Sequence, residues 1–150
     1  MKTSYKGLCL IIGYEKFKPV SYLCPAGYPT IGYGHRILPG EKFGKITEIE
    51  AEELLKKDVE IAEKAIEKLI KAEINQEIFD ALVSFIFNVG ETNFRNSTLL
   101  KLLRSGDYYG TIMEFSNWIF AGGKILKGLV KRRAEEALFF TIGAFKLGKI

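Results

Sequence analysis

One acid stands ahead of a glycine-rich segment that carries a thiol and a hydroxyl. Glu15 is followed, after eight residues, by Cys24 and, after five more, by Thr30, which opens the run Thr30-Ile31-Gly32-Tyr33-Gly34-His35. A glutamic acid can give up a proton if an apolar neighbourhood keeps it protonated near the working pH. A thiol and a hydroxyl on the two arms of a hairpin can orient one water. Together they have the makings of an acid-assisted hydrolysis. Two other readings stand beside this one. Glu15, flanked by Lys16 and Lys18, also suits a solvated helix end, and Cys24 also suits a small buried apolar site. As a base the thiol is weak: with an ordinary pKa of ~8.5, only a few per cent of it is thiolate at neutral pH.

The elements that must position these residues follow from patterning. Ser4 to about Tyr14 reads as a short helix carrying the apolar run Leu8-Cys9-Leu10-Ile11-Ile12, which delivers Glu15 at its end. Lys18 to about Leu38 reads as extended chain, with Pro19 against helix, Tyr22 and Leu23 suited to a strand, and Pro25-Ala26-Gly27 marking a turn. Gly32 and Gly34 on either side of Tyr33 imply a close backbone approach, to neighbouring chain or to substrate. Thr47-Glu48-Ile49-Glu50 is a capping box. The run after it, to about Lys71, has apolar residues at helical spacing and would reach roughly 35 Å, enough to join two lobes across a cleft. Gln76–Val89 is apolar nearly all round and belongs at the centre of a domain. Shorter helices are expected over about Thr98–Arg104, Tyr108–Ile119 and Leu129–Thr141, with Ser97 and Asp107 as caps and Gly106, Gly122-Gly123 and Gly143 as stops.

Composition narrows the classes. The chain has 150 residues, 47% apolar and 27% charged, which suits a single domain with a substantial core. Its formal charge of +4 comes from basic residues dispersed among acids, which argues against nucleic acid and would favour an anionic cell wall. Two cysteines do not imply a disulfide framework, although Cys9 and Cys24 could pair, and with one histidine they make no ordinary zinc site. The apolar stretch from Gly7 to Gly13 is too short to cross a bilayer and lacks a small-residue cleavage site, so a protein made in the cytoplasm without a cleavable signal is expected.

The order Glu15…Cys24…Thr30 with the Thr-Ile-Gly-Tyr-Gly-His run resembles the catalytic segment of the phage-type lysozymes (endolysins), in which an Asp more often stands at the middle position. The resemblance extends through Phe79-Asp80-Ala81-Leu82-Val83-Ser84-Phe85, Phe87-Asn88-Val89-Gly90, Phe94 with Asn96-Ser97-Thr98-Leu99-Leu100, and Trp118 with Gly122-Gly123-Lys124 and Gly128 to Glu135. It implies an α+β, mainly helical fold. A small N-terminal β-hairpin lobe (about 15–46) and a larger helical lobe (about 72–150 with the N-terminal helix) would be joined by a long helix (about 47–71).

The implied activity is hydrolysis of the β-1,4 bond between N-acetylmuramic acid and N-acetylglucosamine in peptidoglycan glycan strands. Glu15 would be the proton donor, and Cys24 and Thr30 the pair that holds water, with inversion at the anomeric carbon and no cofactor. Inversion requires room for water between the acid and its opposite group, ~6.5–9.5 Å where both are carboxylates. Arg132 resembles an arginine that approaches the catalytic acid, although Arg132 and Arg133 also read as a surface pair at a helix start. Phe87, Asn88 and Ser97 fall where the family lines its saccharide cleft, with core packing the other reading for Phe87. His35 is expected to be structural. A monomer without stable membrane insertion, acting on the wall after membrane passage, completes the implied picture. Three rivals remain: a lytic transglycosylase in which Cys24 and Thr30 are idle, a thiol hydrolase using Cys24 with His35, and a catalytically silent peptidoglycan-binding or toxin-like protein.

Overall fold

The computed structural model describes residues 1–150. Helix α1 (Tyr5–Ile12) leads into strands β1 (Lys18–Leu23), β2 (Pro29–Gly32) and β3 (His35–Arg36), which form an antiparallel sheet in sequence order. Tyr22 pairs with Thr30 and Leu23 with Pro29, while Lys18 pairs with Gly32, so β1 carries extra residues between Lys18 and Tyr22. Pro19 lies in that irregular stretch, where a residue without an N–H is tolerated, and its carbonyl accepts the Ile46 N–H at 2.9 Å. Helices α2 (Glu48–Asp58), α3 (Glu60–Leu69), α4 (Gln76–Val89), α5 (Glu91–Arg95), α6 (Thr98–Arg104) and α7 (Tyr108–Glu114) follow. A 3₁₀ turn (Phe115–Asn117), a two-stranded ribbon of β4 (Phe120–Ala121) and β5 (Lys124–Ile125), and the 20-residue α8 (Lys127–Lys146) complete the chain. The architecture is α+β and mainly helical, with the sheet as a small lobe near the N-terminus. No helix is long and apolar enough to cross a membrane.

The expected connecting helix is two helices. Thr47 caps α2 in the predicted capping box, and the right-handed backbone continues through Val59 (φ −68°, ψ −16°), where α2 gives way to α3. Val59 still donates to Leu55 O at 2.9 Å and accepts from Glu63 N at 3.0 Å, so the interruption is one residue long. It falls at a β-branched residue just after Asp58, whose carboxylate is turned toward the sheet lobe.

Packing centres on α4, where Ile78, Phe79, Ala81, Leu82, Val83, Phe85 and Ile86 are buried. The Phe85 ring meets Phe115 and Trp118 edge-on at 5.4 and 5.3 Å. Helix α1 is fastened to the same core by two buried carboxylates. Asp80 accepts the Ser4 N–H at 3.0 Å and the Ser4 hydroxyl at 2.5 Å, and Glu63 accepts the Thr3 N–H, the Thr3 hydroxyl and the Lys2 ammonium at 2.7–2.8 Å. Gly7 allows this approach, because a Cβ there would lie 2.6 Å from Asp80 Oδ1.

Three boundaries in the second half differ from expectation. The helix from Tyr108 ends at Glu114 and tightens into 3₁₀ geometry, where Ser116 and Asn117 side chains bond back to Met113 O and Glu114. Gly122 and Gly123 (φ 58° and 76°) form the turn of the unanticipated β4–β5 ribbon. Gly143 does not end α8, which runs on to Lys146. A Cβ at Gly143 would stand 2.5 Å from Asn75 Oδ1 and 2.7 Å from Ile78 Cγ1, and the Gly143 carbonyl accepts from Asn75 Nδ2 at 2.9 Å. Its lack of a side chain serves helix contact rather than helix termination. Gly143→Ala is therefore expected to cost about 1–3 kcal/mol through overpacking. Gly128→Ala, where nothing lies within 4 Å, should be neutral or slightly stabilising. Paired thermal or urea unfolding of the two variants checks this contrast.

Candidate active site

Glu15 follows α1 by three residues and is held there by backbone bonds: Gly13 N to Cys9 O at 3.0 Å, and Glu15 N to Ile11 O at 3.0 Å. Its side chain, 26% exposed, enters a cavity of about 530 Å³ between the sheet lobe and the helical lobe. Gly34, His35, Arg36 and Leu38 line one wall, Asp58, Ile61 and Ala62 the floor from α2 and α3, and Ile86, Phe87, Asn88, Gly90 and Glu91 the other wall. The two glycines around Tyr33 have separate tasks. Gly32 (φ 67°) brings β2 against α2, where a Cβ would meet Ala51 Cβ at 3.1 Å, and Gly34 (φ 78°) turns the chain beside Glu15 Oε2. The approach to neighbouring chain anticipated for this pair is found at Gly32, and Gly34 lies on the cavity wall.

Arg132 supplies the partner of Glu15. Its Nη1 donates to Glu15 Oε1 at 3.0 Å, and the guanidinium is 3% exposed. The alternative of a surface arginine pair is thereby overturned, since Arg133 is also buried, at 2%. Between them lies Glu136, fully buried, bonded to Arg132 Nε at 3.2 Å, to the Ser84 hydroxyl at 2.7 Å and to Arg133 Nη1. Arg133 in turn donates to Asn88 Oδ1 and, from Nε at 2.9 Å, to Trp118 O. Sequence reading passed over Glu136 and Ser84. The i, i+3 and i, i+4 spacing of Arg133 and Arg132 to Glu136 marks a pairing, but a solvated helix face has the same spacing.

Cys24 and Thr30 lie close together on the hairpin but do not line that cavity. The thiol accepts the Tyr28 N–H at 3.4 Å. That bond lowers its pKa from the ordinary value, with burial opposing and contacts from Ala26 N–H, the Thr30 hydroxyl and Gly27 N–H assisting. Thr30 is buried, and its hydroxyl donates to Tyr28 O at 2.9 Å. The Tyr22 phenol is raised above its usual range, first by burial and then by the charges of Glu15 and Cys24. Both cysteines are free thiols.

Of the expected cleft residues, Phe87 and Asn88 line the cavity, and Phe87 also packs against the core. Ser97 does not line it. It is buried, accepts the Leu100 N–H at 3.1 Å and donates to Phe94 O at 2.6 Å, so it serves as the cap of α6 that the sequence also suggested.

His35 sits between two carboxylates, with Nδ1 2.9 Å from Asp58 Oδ2 and Nε2 3.0 Å from Glu41 Oε1. Burial opposes its charged form, but hydrogen bonds to Asp58 and Glu41 outweigh that and raise its pKa. For Asp58 the balance is reversed: burial raises its carboxyl above the usual range despite the histidine. Glu41 is lowered, first by the Leu38 N–H and then by His35. The geometry, with both ring nitrogens engaged, favours an imidazolium that links β3 to α2. Because His35 is raised in the fold, its contribution is complete below the unfolded value of ~6.5 and is lost as pH rises through the folded value. His35→Asn should accordingly cost about 1–3 kcal/mol near pH 6 and less above pH 8, as read by urea unfolding across that range.

The phage lysozyme family model matches residues 13–136. The chain is 43% identical over 146 residues to an endolysin of Acyrthosiphon pisum secondary endosymbiont phage 1, covering 93% of this chain and 98% of that one. It is 39% identical over 148 residues to an endolysin of Bacillus phage B103, covering 97% of this chain and 56% of that longer protein. Thus it spans little more than half of the Bacillus phage relative but almost all of the other. Among solved structures, the muramidase domain of SpmX from Asticaccaulis excentricus superimposes with a TM-score of 0.85 at 31% identity, covering 93% of this chain and 97% of that domain. With the acid, the glycine-rich hairpin and the two-lobed cavity in place, these likenesses show that the chain belongs to the phage lysozyme family of glycoside hydrolases.

Proposed function

We propose that this protein is a muramidase that cuts the β-1,4 bond between N-acetylmuramic acid and N-acetylglucosamine in peptidoglycan. The observation that carries the reading is the Glu15 carboxyl group at the mouth of a cavity of saccharide size, held from behind by a buried arginine. In this reading Glu15 protonates the leaving oxygen, Cys24 and Thr30 hold the attacking water, and Phe87 and Asn88 contact the sugar, with inversion at the anomeric carbon. The lowered thiol pKa leaves more of Cys24 as thiolate at neutral pH than in an ordinary cysteine. The protein acts as a monomer, is made in the host cytoplasm, and meets the wall after membrane passage. Likeness to proteins described as endolysins and as a muramidase domain supports the substrate class.

One observation favours a second reading. Cys24 and Thr30 are absent from the lining of the cavity that holds Glu15. A lytic transglycosylase needs one Glu and no attacking water, and would leave both idle. Mass spectrometry of the digestion products separates the two, because the anhydro-sugar is lighter by one water.

Glu15→Gln keeps shape and removes the transferable proton. It should lower the rate on purified peptidoglycan by at least ~10²-fold while unfolding like the parent, and retention of a tenth of the activity would sink the assignment. Cys24→Ser should remain appreciably active if the thiol only positions water. A folded Ser variant slowed by more than ~10³-fold would make the thiolate the base instead.

A further inference from the structure

Glu136 touches neither the cavity nor Glu15, yet it holds the arginine that holds the Glu15 carboxylate. Its carboxylate is completely buried. One oxygen takes the Ser84 hydroxyl at 2.7 Å and Arg132 Nε at 3.2 Å, and the other takes Arg133 Nη1. Arg132 is thereby shared between two carboxylates: Nε serves Glu136, and Nη1 serves Glu15 at 3.0 Å. Its Nη2 is occupied by the Ser84 carbonyl at 3.2 Å. The guanidinium therefore has a fixed orientation, and only part of its charge is directed at the acid.

We propose that Glu136 is a positioning residue for Glu15, drawing Arg132 away from full pairing so that the acid can hold a proton. The inference rests on the reading of Glu15 as proton donor. The charge count makes the argument. Arg132, Arg133 and Glu136 together carry one net positive charge, which an ionised Glu15 neutralises. Without Glu136 the acid faces two buried cations and is locked as a carboxylate. Without Arg133 it faces a neutral pair and holds its proton more readily. At these burials the interactions are little screened by salt. The other charged or titratable groups around Glu15 are Tyr22 of β1, His35 and Arg36 of β3, Asp58 of α2, Glu91 of α5, and Tyr14, whose hydroxyl donates to Glu135 of α8. None of them bonds to Glu136; Tyr14 alone also feels its charge, and burial with the Glu135 hydrogen bond holds that phenol above its usual range, so it stays protonated.

The test compares Glu136→Gln, Arg133→Gln and Ser84→Ala with the parent protein. The readouts are the pH midpoint of the Glu15 ¹³Cδ signal and the alkaline limb of the activity profile. Both should move to lower pH in Glu136→Gln and to higher pH in Arg133→Gln, each by at least ~0.5 pH unit. Ser84→Ala, which changes no charge, should leave the midpoint in place. A merely structural Glu136 would lower the folded fraction and shift neither readout. Displacements of the same sign in both charge variants, or none in folded protein by circular dichroism, overturn the proposal. If Glu136→Gln does not fold, the upward displacement in Arg133→Gln decides alone. The NMR readout needs no turnover, so its failure is separate from failure of the muramidase reading, which Glu15→Gln tests.

Discussion

The structure depends on two guanidinium groups and a carboxylate taken wholly out of water between α4 and α8. Burying such charges is costly, and the cost is offset only when each hydrogen-bonding position is filled with good geometry. Here the carbonyl and hydroxyl of Ser84, the Trp118 carbonyl, Asn88 and Glu15 fill the positions that the three ions do not fill for one another. A sliding of α8 along α4 would strand at least one of them. The ionic cluster therefore fixes the register of the two helices, which apolar packing alone would leave less determined. That register sets the distance between the acid that follows α1 and the cavity wall presented by α4.

The same logic recurs at the sheet lobe on a smaller scale. His35 ties β3 to Asp58 near the end of α2, and Gly32 lets β2 rest directly on Ala51. The small lobe is thus attached to α2 through an ion pair and a close backbone contact, beside the apolar packing of Ile31, Tyr33 and Ile46 in the shared core. Both attachments involve the Thr30–His35 run, which also gives Gly34 and His35 to the cavity wall.

Features that depend on neighbours in sequence were legible before any coordinates. The Thr47–Glu50 capping box, the all-round apolar α4, the turn after Cys24 and the Ser97 cap are local physics and appear where patterning put them. What escaped was set by distant partners. Gly143 has the look of a helix stop, yet it is a packing notch for Asn75 and Ile78, on a segment 68 residues upstream. Arg132 and Arg133 have the look of a surface pair until Ser84 and Asn88 arrive from α4. Asp80, quoted for its motif alone, is the anchor of Ser4. The candidate acid itself was readable from its spacing to Cys24 and Thr30, but the cluster behind it was not, because no local pattern distinguishes a buried Arg-x-x-x-Glu from a solvated one.

The path of the chain has a consequence for its synthesis. Ser4 finds Asp80 76 residues later, and Glu15 finds Arg132 117 residues later. Both contacts flank α1, so the surroundings of that helix are completed only by segments made much later. While the chain elongates, at about 5–20 residues per second, the segment bearing the acid has no core to lie on and no cation to meet. The hairpin and the α2–α3 pair can form from local contacts during that interval. The acid meets its cation only when α8 closes over α4, so the site is completed only after α8 has been made.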